Sequence, residues 1–309
     1  MVFGQGNCPQ IVSQALAAAT NTCIDTQRNL VCYGNFRLDV QTRAGQDQNF
    51  AFDNQGDKAP LKQIASLKLS SYNEANNEWG VAVMSLQATL PDTSPGQNVT
   101  VLLFGNVEIA DATSEGSKPM SAFYFQSGIG DAPCKEAPDS GILIRTPKGA
   151  GQVTLSMNEV IISLGSTAFL QAQPGNTMSI SMLEGQATVA NQTVTAGSKV
   201  EIPITDTLSP SGPVSEPIPY DFSVIARLPT TYLDSLVNGT QIETACTISA
   251  NHDQVTLRVG PGQNRNTVAF MPQGDFAVTG QARVGDTVWF QLAKNEVLPQ
   301  KANQVKEIW

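Results

Sequence analysis

The sequence predicts an all-β protein of several domains, and three observations carry that expectation. Short runs of alternating apolar and polar residues recur along the chain, separated by Gly-, Pro- and Asn-rich breaks, which is the pattern of half-buried strands. Helical periodicity is clear in one segment only, residues 9–19, where Pro9 suits a first helical position and Ile11, Ala15, Leu16 and Ala19 share a face. At 309 residues the chain is long enough for two or three cores.

After the helix, strands are expected at Asn35–Val40 and Leu67–Leu69, then in two longer runs, Trp79–Ala88 and Asn98–Ile109. The loop Pro91–Gln97 between these runs makes them an antiparallel pair at the centre of the first domain. Residues 111–138 read as loops around one short apolar strand, Ala122–Phe125. From Gly141 to Ile204 short strands follow one another closely, with Gly165, Pro174-Gly175, Glu184-Gly185 and Ala196-Gly197 expected as the turns between them. Strands this short and regular predict a stacked or rolled β architecture.

Within that block, Gly151-Gln-Val-Thr-Leu-Ser-Met-Asn-Glu-Val-Ile-Ile-Ser-Leu-Gly-Ser-Thr and Met182-Leu-Glu-Gly-Gln-Ala-Thr-Val resemble the FecR-like domain, a small extracytoplasmic β module of bacteria. Asn158-Glu159 stands where that family usually has Asp-Gly, so the first turn departs from the pattern. Residues 205–219 are rich in proline and predict an extended linker. Residues 221–236 predict short helical turns broken at Pro229, too apolar at Phe222, Val224, Ile225, Leu228 and Leu236 to stand free.

The last stretch predicts a chain of hairpins. Leu257 faces inward, Gly260-Pro261-Gly262 makes a tight turn, and Val268 and Met271 begin a strand. Gly274 turns the chain, Phe276 and Val278 return, and Thr287–Leu292 forms the next strand. Leu257, Arg258, Gly260, Pro261, Gly262, Gly274, Trp289 and Phe290 together resemble the bacterial Src homology 3 domain. That resemblance implies a small barrel with an aromatic-lined groove for cell-wall peptides or other extended ligands, with Arg258, Pro261, Trp289 and Phe290 as groove residues. The expected organisation is therefore an N-terminal disulfide-tied β domain (1–138), a FecR-like β domain (139–204), a Pro-rich linker with helical turns (205–245) and an SH3-like barrel (246–309).

Composition narrows the function. Charged residues make up 15% of the chain, below the roughly 25% usual in soluble domains, and amides and hydroxyls fill the gap. The net charge of −9, with 18 scattered basic residues, argues against a nucleic-acid partner. No stretch reaches the length of an apolar membrane span, and no secretory signal opens the chain, so a secreted protein would be represented here in mature or trimmed form. Five cysteines occur without a Cys-x-x-Cys. They predict two disulfides among Cys8, Cys23, Cys32 and Cys134, in any of three pairings, with Cys246 left over.

Candidate chemistry is sparse. His252 is the one histidine, beside Asp253, and reads as a turn residue rather than a catalytic base. Asp53 and Asp57 place oxygen ligands at alternate positions and are the candidates for structural calcium; no other cofactor is expected. These readings predict a non-enzymatic extracellular or cell-surface protein that binds wall peptide, glycan or another protein. The alternative is a self-assembling subunit of a surface layer, sheath or filament, joined through exposed strands.

Overall fold

The computed structural model describes residues 7–24, 26–35, 37–43, 50–90, 98–147, 149–238, 246–258, 267–284 and 287–292. The chain forms two compact units, Met1–Gly239 and Thr240–Trp309. Both are built mainly from strands.

The first unit opens with helix α1 (Cys8–Cys23), which carries proline in its first turn as expected. Its buried face, Ile11, Val12, Ala15, Leu16 and Ala19, adds Val12 to the apolar stripe predicted from spacing. Strands β1 (Leu30–Asn35), β2 (Leu38–Thr42), β3 (Lys58–Pro60) and β4 (Ile64–Leu69) follow. Next come β5 (Val81–Leu86), β6 (Val99–Phe104), β7 (Val107–Asp111), β8 (Ala122–Ser127), β9 (Gly141–Arg145) and β10 (Val153–Met157). Two long strands, β11 (Val160–Ala172) and β12 (Thr177–Val189), lead into β13 (Gln192–Thr195), β14 (Ser198–Pro203) and β15 (Ile218–Pro219). Helices α2 (Phe222–Ile225) and α3 (Thr230–Asn238) close the unit.

The two longest apolar runs pair antiparallel as predicted, with Val81 opposite Phe104 and Leu86 opposite Val99. Every residue of β5 and β6 is buried, because both faces of this part of the sheet are covered. Ala82, Met84, Leu86, Val101 and Leu103 enter the central core, whereas Val81, Val83, Leu102 and Phe104 meet α1 and α3. The run expected as one strand from Asn98 to Ile109 is broken at Gly105. That residue adopts φ +74°, a left-handed conformation that glycine takes without Cβ strain. Beyond this corner β7 leaves β6 and pairs instead with β4 and β8.

The sheet thus divides into two halves, β3-β1-β5-β6-β9 and β2-β4-β7-β8-β10, which meet on β11. Val160–Leu164 pair with β10 and Thr167–Leu170 with β9, while β12 runs along the opposite side of β11. Curling the halves over this shared hairpin encloses one core that includes Val31, Leu67, Met84, Ile109, Phe125, Ile144, Leu155 and Ile180. Gly165 and Glu184-Gly185 are therefore not turns, which corrects the sequence expectation. They lie inside β11 and β12, where Gly165 faces Gln186 and the register slips between Thr167 and Ala168. A bulge at this point bends the two strands from one half of the sheet to the other.

The strands of residues 1–138 and of 139–204 are hydrogen-bonded into this one sheet. The β10–β11 turn shows how they are joined. Asn158 and Glu159 both have positive φ, as the two central residues of a tight hairpin require. Asn158 is fully buried; its Nδ2 donates to the Phe125 carbonyl (2.9 Å) and its Oδ1 accepts from the Phe125 N–H (2.7 Å). Its side chain thereby extends the parallel β8–β10 ladder. Replacing Asn158 by alanine leaves both backbone groups of Phe125 without this partner and is expected to cost about 2–4 kcal/mol, read as a lower urea midpoint with an unchanged slope. A shift within error of zero would show that the bonds carry no weight.

The Pro-rich stretch returns along β14. Ser211 N–H donates to the Pro203 carbonyl (2.8 Å), Ser215 N–H to the Glu201 carbonyl (2.9 Å), and Glu201 N–H to Ser215 Oγ (3.0 Å). Leu228, Leu233 and Leu236 are buried with α1, as the apolar content of this segment predicted, although Phe222 stays 73% exposed. Arg145 holds α3 to the sheet by donating to Thr167 Oγ1 (2.8 Å), Asp234 and Glu184.

The second unit contains β16 (Cys246–Ala250), β17 (Val255–Arg258), β18 (Thr267–Met271), β19 (Gly274–Val284) and β20 (Thr287–Leu292). The order β16-β19-β20 makes one antiparallel sheet, and β17-β18 makes a second, two-stranded one. Ala250, Leu257, Met271, Phe276 and Leu292 form its buried core, with Leu257 facing inward as predicted.

Candidate functional site

The outer face of β11, β12 and β14 in the first unit is an ordered grid of mostly polar side chains. Ser179 lies between Gln171 and Glu201, and Ser181 lies between Phe169 and Lys199. Met178, Ile180 and Met182 alternate with these residues and fill the core beneath. Period-two alternation therefore builds an apolar underside and a polar floor from one strand. The segment 220–225 and the loop carrying Ile129, Gly130 and Asp139 wall this floor into a cleft of about 400 Å³.

Ser179 is 9% and Ser181 5% exposed, yet neither hydroxyl makes a hydrogen bond with any described residue. Both line the cleft. The two residues are largely buried, but their hydroxyl oxygens stay open to the cleft: among the described residues Tyr72 Oη is the one buried side-chain polar atom without a partner.

Hydrogen bonds and a disulfide brace the walls. Gln171 Nε2 donates to the carbonyls of Gly128 and Ser140, both at 3.1 Å. Asp131 accepts from Ser140 N–H (2.8 Å) and Ser140 Oγ (2.6 Å), and Asp139 accepts from Gly130 N–H (3.3 Å). The disulfide between Cys8 and Cys134 ties the same loop to the start of α1, and that between Cys23 and Cys32 ties the end of α1 to β1. The helix is thus clamped at both ends across the sheet.

The charges around the cleft have partners. Lys199 Nζ sits 2.5 Å from Glu201, and Arg227 sits 3.5 Å from the buried Asp139. Asp221 caps α2, and its hydrogen bonds from Ser223 hold its carboxyl below the usual range, with Arg227 and Lys199 adding to that effect. It is a carboxylate at neutral pH.

The residues expected to bind or coordinate fall elsewhere. Arg258 ends β17, opposite Thr267; Trp289 and Phe290 lie on β20, opposite Ala282 and Gln281. Pro261 lies outside the described residues. Asp57 accepts from the N–H groups of Asp53 (3.0 Å) and Asn54 (2.8 Å), so one of its oxygens closes the turn that Asp53 opens. Among the described residues no three His, Cys, Asp or Glu side chains cluster as a metal site. His252 is exposed, with Nδ1 2.9 Å from the Asp253 carbonyl. The two disulfides use the four cysteines predicted, and Cys246 stands on β16.

Sequence reasoning missed the cleft. The signal available was Thr177-Met-Ser-Ile-Ser-Met, whose alternate polar positions read as an ordinary half-exposed strand. No helix among the described residues is long and apolar enough to cross a membrane. No protein-family model, no curated protein and no solved structure matches the chain.

Proposed function

We propose that this chain is a non-catalytic extracellular or cell-surface binding protein. In this reading residues 246–309 form an SH3-like barrel that engages cell wall or matrix, with Arg258, Pro261, Trp289 and Phe290 at its groove. Residues 141–204 contribute a FecR-like β module to the platform that carries it. The observation that bears most weight is the pair of disulfides clamping α1, because such bonds persist in oxidising compartments outside the cytoplasm. A weakly charged composition and cleft walls braced by side-chain hydrogen bonds suit recognition without chemistry.

A second reading, a self-assembling surface subunit, draws on one specific feature. Among the described residues of the first unit β2 pairs only with β4, β3 only with β1, β13 only with β12 and β15 only with β14, which leaves strand edges for pairing between copies. Light scattering on the oxidised protein, followed by co-sedimentation with purified peptidoglycan, separates the two. A monomer of 32.9 kDa that sediments with the wall polymer, and does so less after Trp289→Ala, is the expected result. A large assembly indifferent to peptidoglycan would replace the binding reading with the structural one.

A further inference from the structure

We infer that the cleft over β11, β12 and β14 is a binding site for a neutral, hydroxyl-rich ligand, a glycan segment. The inference rests on the binding-protein reading and assigns it a second ligand site, in the first unit.

Ser179 and Ser181 are each more than nine-tenths buried, make no hydrogen bond with a described residue, and line the cleft two residues apart on one face of β12. A hydroxyl both donates and accepts, so a row of two meets ligand hydroxyls in either sense. The neighbouring Gln171, Lys199 and Glu201 supply amide, ammonium and carboxylate groups at fixed register positions beside them. Tyr220 at the rim offers a ring for the apolar face of a sugar. The cleft volume falls in the range of small-molecule sites, about 300–1,000 Å³.

Two observations disfavour an added peptide strand and an anionic ligand. An extended peptide adding to the sheet needs a free strand edge, but β14 is already bonded to β15 and to Ser211 and Ser215. An anionic ligand would face Asp139, Glu201 and Asp221, with Lys199 as the cation on the floor and held by Glu201.

The test is calorimetric titration of the full oxidised chain with an N-acetylglucosamine trimer, cellohexaose and maltohexaose. Polygalacturonate and a proline-rich peptide serve as anionic and non-sugar probes. At least one neutral oligosaccharide is expected to bind saturably. Ser179→Ala combined with Ser181→Ala should weaken it about tenfold, the value of two hydrogen bonds, and Tyr220→Ala should weaken it independently. Thr193→Ala, on the exposed side of β13, should leave it unchanged, with thermal unfolding confirming that each variant folds. Failure of all three neutral probes overturns the inference. So does binding indifferent to both the serine pair and Tyr220, or binding of the peptide or polyanion that these variants abolish. Peptidoglycan retention that depends on Trp289 while no oligosaccharide binds would reject the cleft assignment and leave the binding-protein reading standing.

Discussion

Replacing Cys8 and Cys134 together by alanine is expected to lower the unfolding temperature of the first unit by about 10–20 °C. The bond closes a loop of 126 residues, and removing such a constraint from the unfolded chain costs about 4–5 kcal/mol in the chain-entropy account. For a unit of this size each kcal/mol shifts the midpoint by about 2–4 °C. The Cys23–Cys32 bond spans only 9 residues, for which the same account gives about 2.5 kcal/mol. Its removal should therefore shift the midpoint less. Circular dichroism melts of the two double variants check the order. Equal and negligible shifts would mean that α1 is held by its apolar face alone.

Gly185→Val is expected to be the most damaging single substitution in the β11–β12 hairpin, at about 3–5 kcal/mol or outright failure to fold. Gly185 has φ +67°, and a Cβ there would sit 2.2 Å from the Gly165 carbonyl oxygen and 2.7 Å from Ser166 Cβ. The nearest clash is with the backbone of the paired strand, so no rotamer change relieves it. Gly116 gives the matched control: its φ is +81°, yet nothing lies within 4 Å of an added Cβ. Gly116→Ala should cost only the left-handed strain, about 1–2 kcal/mol. Urea unfolding of both variants separates crowding from strain, and equal losses would refute the bulge as a packed hinge.

The same hairpin shows where sequence reasoning succeeds and where it stops. β5 and β6 were legible because apolar residues fill both of their faces, a pattern few loops sustain. Helix α1 was legible from spacing alone, since Ile11, Ala15 and Leu16 bury one stripe. Gly165 and Gly185 were misread because glycine marks a turn and a bulge alike; only the pairing of β11 with both β9 and β10 distinguishes them. The disulfide partners were not legible, because spacing along the chain says nothing of the distance between Cys8 and Cys134 in space. The cleft was not legible for a related reason. Its floor brings together Gln171, Ser179 and Glu201 from three strands, and each looks unremarkable in its own segment.

The binding-protein account is tested most directly by prolonged incubation of the oxidised chain with peptidoglycan, assaying both the sedimented protein and the soluble products. The account predicts that protein accumulates on the polymer while neither new reducing ends nor new amino groups appear in solution. Steady release of either, in proportion to protein added, would contradict it and make the carboxylates of the cleft, Glu201 and Asp139, the first residues to replace.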